Sequence, residues 1–408
     1  MFTAALGDEP VVDESNLHGA HLLAPSGLRA DNQAAEPPIR PARVVGREAV
    51  KSVVIDLRMV RGRLHGIARY ALELACRLPA LAPDLRFLGL TAPEGLAAGL
   101  GTLTPRIPLH RCRADFLSPL EQPALLASLV ELAPDLFHAT SFSLPALWPG
   151  RLVATLHDAN HLALPENYGP GRRAYYRLVV GPRARRAQAL LTVSDFSREE
   201  LARHLGLSPY RFQVIPNGVD ARYRPSTATE LKDFRERYRL PPRFFLTVGN
   251  TKAHKNLGLV ADIAPSLSLP VVLLAGEGAA RELGFPDSTR ELSALPEDDM
   301  PHLYSAATAL LMPSHYEGFG LPVLEAMACG CPVLSARTSS LPEVVGDAGL
   351  MLSPDDAGAW REAALKVVRD ESLHQELVEK GRARAARFTW EDCALRTLAT
   401  YRRALEAR

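Results

Sequence analysis

SHYEGFGLPVLEAMACGCPVLS, Ser314 to Ser335, carries two glutamates, Glu317 and Glu325, on either side of a glycine-containing loop. ATALLMPS, the apolar run that leads into it, is bounded by a turn signal and predicts a buried strand. Gly318 and Gly320 mark a tight loop. Pro322 suits the first turn of a helix, where its missing N–H costs nothing. VLEAMA continues that helix, Gly330 is placed to end it, and CPVLSA predicts a second strand. The unit is therefore strand, loop, helix, strand, with Glu317 in the loop and Glu325 about one turn into the helix. The free N–H groups of such a helix start favour an anion, phosphate above all.

The strand-helix alternation extends in both directions. KSVVIDLRM opens the ordered part as a strand, and GIARYALELACRL follows with helical spacing of Ile67, Tyr70, Leu74 and Leu78. LRFLGL, RIPLHRC, PDLFHAT, RLVATLHD, QALLTVS and RFQVIP are short apolar strands. SREELARHLG predicts a helix capped by Ser197 with Glu200 and ended by Gly206. The rhythm breaks at NGVDARYRPSTATE, which has turn residues and no apolar period, and restarts at PRFFLTVGN. This predicts an α/β protein with two parallel-sheet, Rossmann-like domains facing across a cleft. The expected boundaries are a disordered extension over 1–50, an N-terminal domain over 51–216, a linker over 217–243 and a C-terminal domain over 244–388. A last helix, 389–408, is expected to pack back toward the first domain.

The chain has 408 residues, long enough for two domains, and is 47% hydrophobic and 23% charged, a soluble globular balance. A net charge of +1 gives no argument for nucleic acid as a partner. Five cysteines are too few for a disulfide framework and Cys329-Gly-Cys331 lacks a second ligand pair, so a reducing cytoplasm fits. No apolar run reaches the roughly 18 residues of a membrane span.

Ligands bind outside the carboxyl ends of the strands in such sheets. The residues standing there are Gly66 at a helix start, His157 and Asp158, Lys252 and Lys255, Glu277 and Gly278, and Glu317 with its loop. Helix starts, two lysines, an imidazole and two carboxylates suit a ligand with a diphosphate and several hydroxyls.

These residues resemble a known family. EGFGLPVLEAMACGCPVLS is similar to the glutamate, seven residues, glutamate signature of the family-4 glycosyltransferases with the GT-B fold. GIARY, TLHDANHL, TVSDFSREEL, VIPNGVD, TVGNTKAHKNL, SSLPEVVGDAGL and FTWEDCA support it in family order, from about Val53 to Leu405. The resemblance implies that Glu325 holds the ribose hydroxyls of a nucleotide sugar and that Glu317 lies beside the transferred sugar. It places the backbone of Gly318, Phe319, Gly320 and Leu321 against sugar and diphosphate, Lys255 on the diphosphate, His157 over the donor sugar and Gly66 near the phosphates. Many members carry an arginine after the strand-end glycine where this chain has Asn250, and Lys252 is the candidate for the missing charge.

The implied reaction is retaining transfer of a hexose to a saccharide or lipid-linked acceptor, in cell-envelope or extracellular polysaccharide synthesis. The GIARY and HKNL variants resemble the mannosyltransferase subgroup, so mannose from GDP-mannose is the first donor expected. Alternatives on the same fold are a sugar-nucleotide epimerase and a non-catalytic sugar-nucleotide-binding protein. No Asp-x-Asp occurs in the sequence, so neither a metal nor any other cofactor is expected. The six arginines within Arg172 to Arg186 suggest peripheral contact with an anionic inner membrane face.

Overall fold

The computed structural model describes residues 50–61, 65–96, 100, 104–164, 168 and 170–407. The extension expected over the first 50 residues lies outside them up to Ala49.

Among the described residues, thirteen strands form two sheets. The first holds β1 (Ser52–Asp56), β2 (Arg86–Thr91), β3 (Leu109–Arg111), β4 (Leu136–Ala139), β5 (Leu152–Thr155), β6 (Ala189–Thr192) and β7 (Phe212–Val214). Its order is β3-β2-β1-β4-β5-β6-β7. The second holds β8 (Phe245–Val248), β9 (Val271–Leu274), β10 (Arg290–Leu292), β11 (Ala309–Met312), β12 (Val333–Ala336) and β13 (Leu350–Leu352), in the order β10-β9-β8-β11-β12-β13. Every pairing in both sheets is parallel. Strands such as Val271–Leu274 and Ala309–Met312 are buried throughout. This is why they read as continuous apolar runs rather than alternating ones. In each sheet the order reverses beside the first strand, between β1 and β4 and between β8 and β11, which opens a crevice at the carboxyl ends.

The last helix, Trp390–Glu406, covers a face of the first sheet. Its Trp390, Cys393, Leu398 and Tyr401 share one core with Tyr70, Leu74 and Leu78 of the helix Gly66–Leu81. The chain thus crosses between lobes twice. The two crossings lie side by side, with Val219 bridged to Thr389 and its N–H on the Phe388 carbonyl at 3.0 Å.

Two local expectations need revision. Residues Ala228–Tyr238 of the expected linker form a helix with a capping box between Thr227 and Glu230. Only Phe234 of this helix is buried, so it has no apolar stripe to announce it, and its caps hold its end instead. The helix Asp195–Leu205 is capped three residues earlier than expected: Ser194 is the N-cap, its hydroxyl accepting the Ser197 N–H at 3.1 Å. Ser197 is left to serve another purpose, described below.

Buried histidines give the fold a pH signature. His138 lies between the Tyr401 hydroxyl at 2.5 Å and the Thr155 hydroxyl at 2.8 Å. Burial pulls its pKa down to about 3, with His157 adding to the effect. Burial likewise takes His157 and His161 down to about 4. The folded protein therefore stays unprotonated at these rings while an unfolded chain takes up protons below pH ~6.5. No stability is lost above that value. Below it, stability falls by up to ~1.4 kcal/mol per pH unit for each such ring, until the folded pKa is reached. The thermal midpoint is expected to drop between pH 7 and pH 4.5, and His138→Gln to flatten that slope while lowering the midpoint at pH 7. An unchanged slope in the variant would remove His138 from the account.

Candidate functional site

The strand β11, its loop and the helix Leu321–Ala328 carry the two glutamates. The loop is built from glycine because nothing larger fits. A Cβ on Gly318 would lie 2.9 Å from the His157 carbonyl oxygen, and Gly320 has φ +107°, a conformation that side chains resist. Hydroxyls hold the loop from both lobes. Ser194 and Ser197 of the first lobe both donate to the Gly318 carbonyl, at 2.7 and 3.0 Å. Ser340 of the second donates to the carbonyls of Glu317 and Phe319, each at 2.9 Å. Glu343 reaches back from the second lobe and accepts the N–H groups of Asp195 and Phe196, both at 2.7 Å, at the start of the first-lobe helix.

A cavity of about 420 Å³ lies between the lobes over this loop. Gly66, His157, Lys255, Glu317, Gly318, Phe319, Gly320, Leu321 and Glu325 all line it. Two helix starts converge there, since a Cβ on Gly66 would stand 3.4 Å from the Leu321 side chain. Their unpaired N–H groups give the cavity two dipoles that favour negative charge.

Lys255 Nζ bonds Glu317 Oε1 at 2.7 Å, and both side chains are largely buried. Glu325 sits deeper, at 8% exposure, and accepts the Tyr304 hydroxyl at 3.0 Å. Burial raises its pKa, opposed by the charge of Arg69 and by hydrogen bonds from Tyr304 and Tyr223. His157 donates Nε2–H to the Thr140 carbonyl at 3.0 Å. In the neutral ring this leaves Nδ1 as an acceptor. The edge-on ring of Tyr70, 4.8 Å away, fixes its plane. Asp158, also in the wall, accepts the Asn160 N–H at 3.0 Å, and burial raises its pKa.

Lys252 is placed differently. It does not line this cavity but an adjoining one of about 680 Å³, where its ammonium lies 4.7 Å above the Tyr168 ring and 3.3 Å from its hydroxyl. His65, Ile67, His157, Asp158, Asn250 and Lys255 belong to both spaces, so the two adjoin along these residues. Arg172, the first arginine of the basic stretch, also turns into the second space, over the Phe142 ring at 5.4 Å. Arg173, Arg177, Arg185 and Arg186 face solvent, together with Leu178, while Arg183 is buried.

Sequence reasoning missed Arg69, Tyr223, Glu297 and Tyr304, all in the wall of the first cavity. A signal existed for Arg69, which stands three residues after Gly66 and so on the same helix face. Tyr304 had none, because its hydroxyl meets Glu325 only through the packing of two helices in the second lobe. Among the described residues no group of three His, Cys, Asp or Glu is placed to hold a metal ion, and no helix is long and apolar enough to cross a membrane.

The arrangement can hold a dianion between two helix starts and a lysine, bind vicinal hydroxyls on buried carboxylates, and present an imidazole between the two spaces. The family model for glycosyltransferase family 4 matches residues 64–223, and that for glycosyl transferases group 1 matches residues 229–384. O-antigen chain mannosyltransferase B of Escherichia coli is 31% identical over 382 residues, covering 86% of this chain and 99% of the relative. Among solved structures, sucrose-phosphate synthase from Thermosynechococcus elongatus superposes with a TM-score of 0.71 at 19% identity, over 88% of this chain and all of that one. HepE from Anabaena, in complex with UDP and glucose, gives 0.71 at 18% identity, over 86% and 99%. The chain belongs to the family-4 glycosyltransferases and is an enzyme of the GT-B fold.

Proposed function

We propose that this glycosyltransferase moves mannose from GDP-mannose to a saccharide or lipid-linked acceptor, with retention of configuration, in the synthesis of a surface polysaccharide. The observation that carries the reading is the single cavity in which Lys255, Glu317, His157 and Glu325 meet two helix starts. The full-length likeness to an O-antigen chain mannosyltransferase supports the sugar and the pathway.

In this reading Glu325 takes the ribose diol and Lys255 with the two helix starts takes the diphosphate. Glu317, freed from Lys255 as phosphate binds, faces the sugar. The neutral His157 accepts a sugar hydroxyl at Nδ1. Charge builds on the departing phosphate in the transition state, so fixed donors aimed at it lower the barrier. The leaving phosphate helps to deprotonate the acceptor hydroxyl on the same face, and the acceptor enters from the adjoining space. Cationic and dipolar groups do the work that a divalent ion would otherwise do, so transfer is proposed to need no metal. The exposed arginines Arg173, Arg177, Arg185 and Arg186 offer a surface for an anionic membrane.

A thermal-shift panel of GDP-, UDP- and ADP-sugars in EDTA tests the donor. A ligand at 100 times its Kd adds ~2.7 kcal/mol to stability, and GDP-mannose is expected to give the largest shift. Glu325→Ala should weaken donor binding by ~1.5–3 kcal/mol, the worth of a hydrogen bond to a charged group, with a smaller effect on kcat. Glu317→Ala should act mainly on kcat. A larger shift with another nucleotide sugar would replace the donor, and reversed effects of the two variants would exchange the roles of the glutamates.

A further inference from the structure

The charge balance of the donor cavity poses a problem. Its wall carries two obligate cations, Arg69 and Lys255, against four carboxylates, Asp158, Glu297, Glu317 and Glu325. A nucleotide diphosphate brings two more negative charges. Lys255 can serve one end only, the end beside Glu317. Arg69 sits at the other end. Its guanidinium feels the charge of Glu325, the residue read above as the ribose ligand.

Arg69 is 5% exposed and spans the lobes. It rises from the first-lobe helix Gly66–Leu81, lies 5.8 Å over the Tyr223 ring and forms an ion pair through Nη2 with Glu297 of the second lobe. Its Nη1 is buried and has no hydrogen-bond partner among the described residues. A buried guanidinium N–H without an acceptor is costly, and the residue that carries it lines the space the donor must fill. The planar fork suits the need: one arm is held by a carboxylate while the other stays free for a phosphate oxygen.

We propose that Arg69 is a donor-binding residue whose free Nη1 takes the ribose-proximal phosphate, while Lys255 takes the sugar-proximal one. The inference rests on the nucleotide-sugar reading. It has a consequence for closure, because the two phosphates then tie one cation from each lobe and the filled cleft is held from both sides.

Guanosine, GMP and GDP separate the contacts, with wild type, Arg69→Gln, Arg69→Lys, Glu297→Gln and Lys255→Gln compared by calorimetry. GMP has the ribose-proximal phosphate alone. Arg69→Gln is expected to weaken GMP and GDP alike, by about tenfold or more, and guanosine by less than about twofold. Arg69→Lys should recover part of the loss. Lys255→Gln should instead narrow the preference for GDP over GMP. Glu297→Gln keeps the guanidinium and should retain GMP binding within about threefold. GMP affinity unchanged in Arg69→Gln would overturn the proposal, as would guanosine weakened as much as GMP. A loss in Glu297→Gln as large as in Arg69→Gln would also overturn it, by assigning the effect to the bridge between lobes. Wild type that binds none of the three, nor the same series of the base chosen by the donor panel, would sink the nucleotide reading and this one together.

Discussion

Lys255→Ala is expected to lower kcat/KM by about two to three orders of magnitude, the usual effect of deleting one preorganised electrostatic donor. The phosphate charge is present in the bound donor and grows as it leaves, so both KM and kcat should suffer. The geometry adds a second effect. Lys255 and Glu317 are 18% and 11% exposed and bonded at 2.7 Å, so removal of the lysine leaves a carboxylate nearly buried and alone. That should cost stability as well, by ~1–3 kcal/mol. The double variant Lys255→Ala, Glu317→Gln removes the stranded charge and should regain most of this stability without regaining activity. Kinetics and thermal unfolding of the two variants check both halves. Activity within about threefold of wild type in the single variant would remove Lys255 from the phosphate site.

The largest effect on stability is expected outside the donor cavity. Arg58 is fully buried just beyond the carboxyl end of β1 and grips Asp56 at both oxygens, 2.9 and 2.7 Å away. Its other arm donates to Glu121 at 2.9 Å, and Ser143 completes the set at 3.2 Å. Burial by itself lowers the pKa of such a group, but here the charges of Asp56 and Glu121 outweigh it and the net direction is upward. Arg58→Met would leave two carboxylates at 2% exposure without their cation. Breaking a buried pair in this way costs ~3–5 kcal/mol. The sign of its pH dependence follows. In the variant the stranded carboxyls favour their protonated form, so the deficit should be larger at pH 8 than at pH 5. Chemical denaturation at both values tests it. A deficit under ~1 kcal/mol at pH 8 would mean that water replaces the guanidinium.

These two sites differ in how far they could be read in advance. Lys255 and Glu317 stand just after strands whose apolar runs are continuous, and the position of a residue at a strand end is fixed by the period of the chain. The Asp56–Arg58–Glu121 cluster joins residues 63 positions apart, and nothing in the local pattern around Glu121 marks it as the partner of a buried arginine.

The order of strands and helices, the loop that needs glycine at Gly318 and Gly320, and the helix start at Leu321 all follow from local rules, because apolar period, turn chemistry and capping act over a few residues. Even there, competing local signals blurred the detail. Ser194 and Ser197 both carry cap-forming hydroxyls; Ser194 takes the cap, and both hydroxyls donate to the Gly318 carbonyl of the second lobe. The helix Ala228–Tyr238 escaped notice because a single buried phenylalanine gives no period. What only the tertiary structure decided is how side chains from separate segments share one space. It set Tyr304 on Glu325, turned Lys252 out of the donor cavity onto Tyr168, and brought Arg69 across the cleft to Glu297. Such placements depend on packing between segments distant in sequence, and the burial that shifts the pKa of Glu325 and His157 arises only in the packed structure.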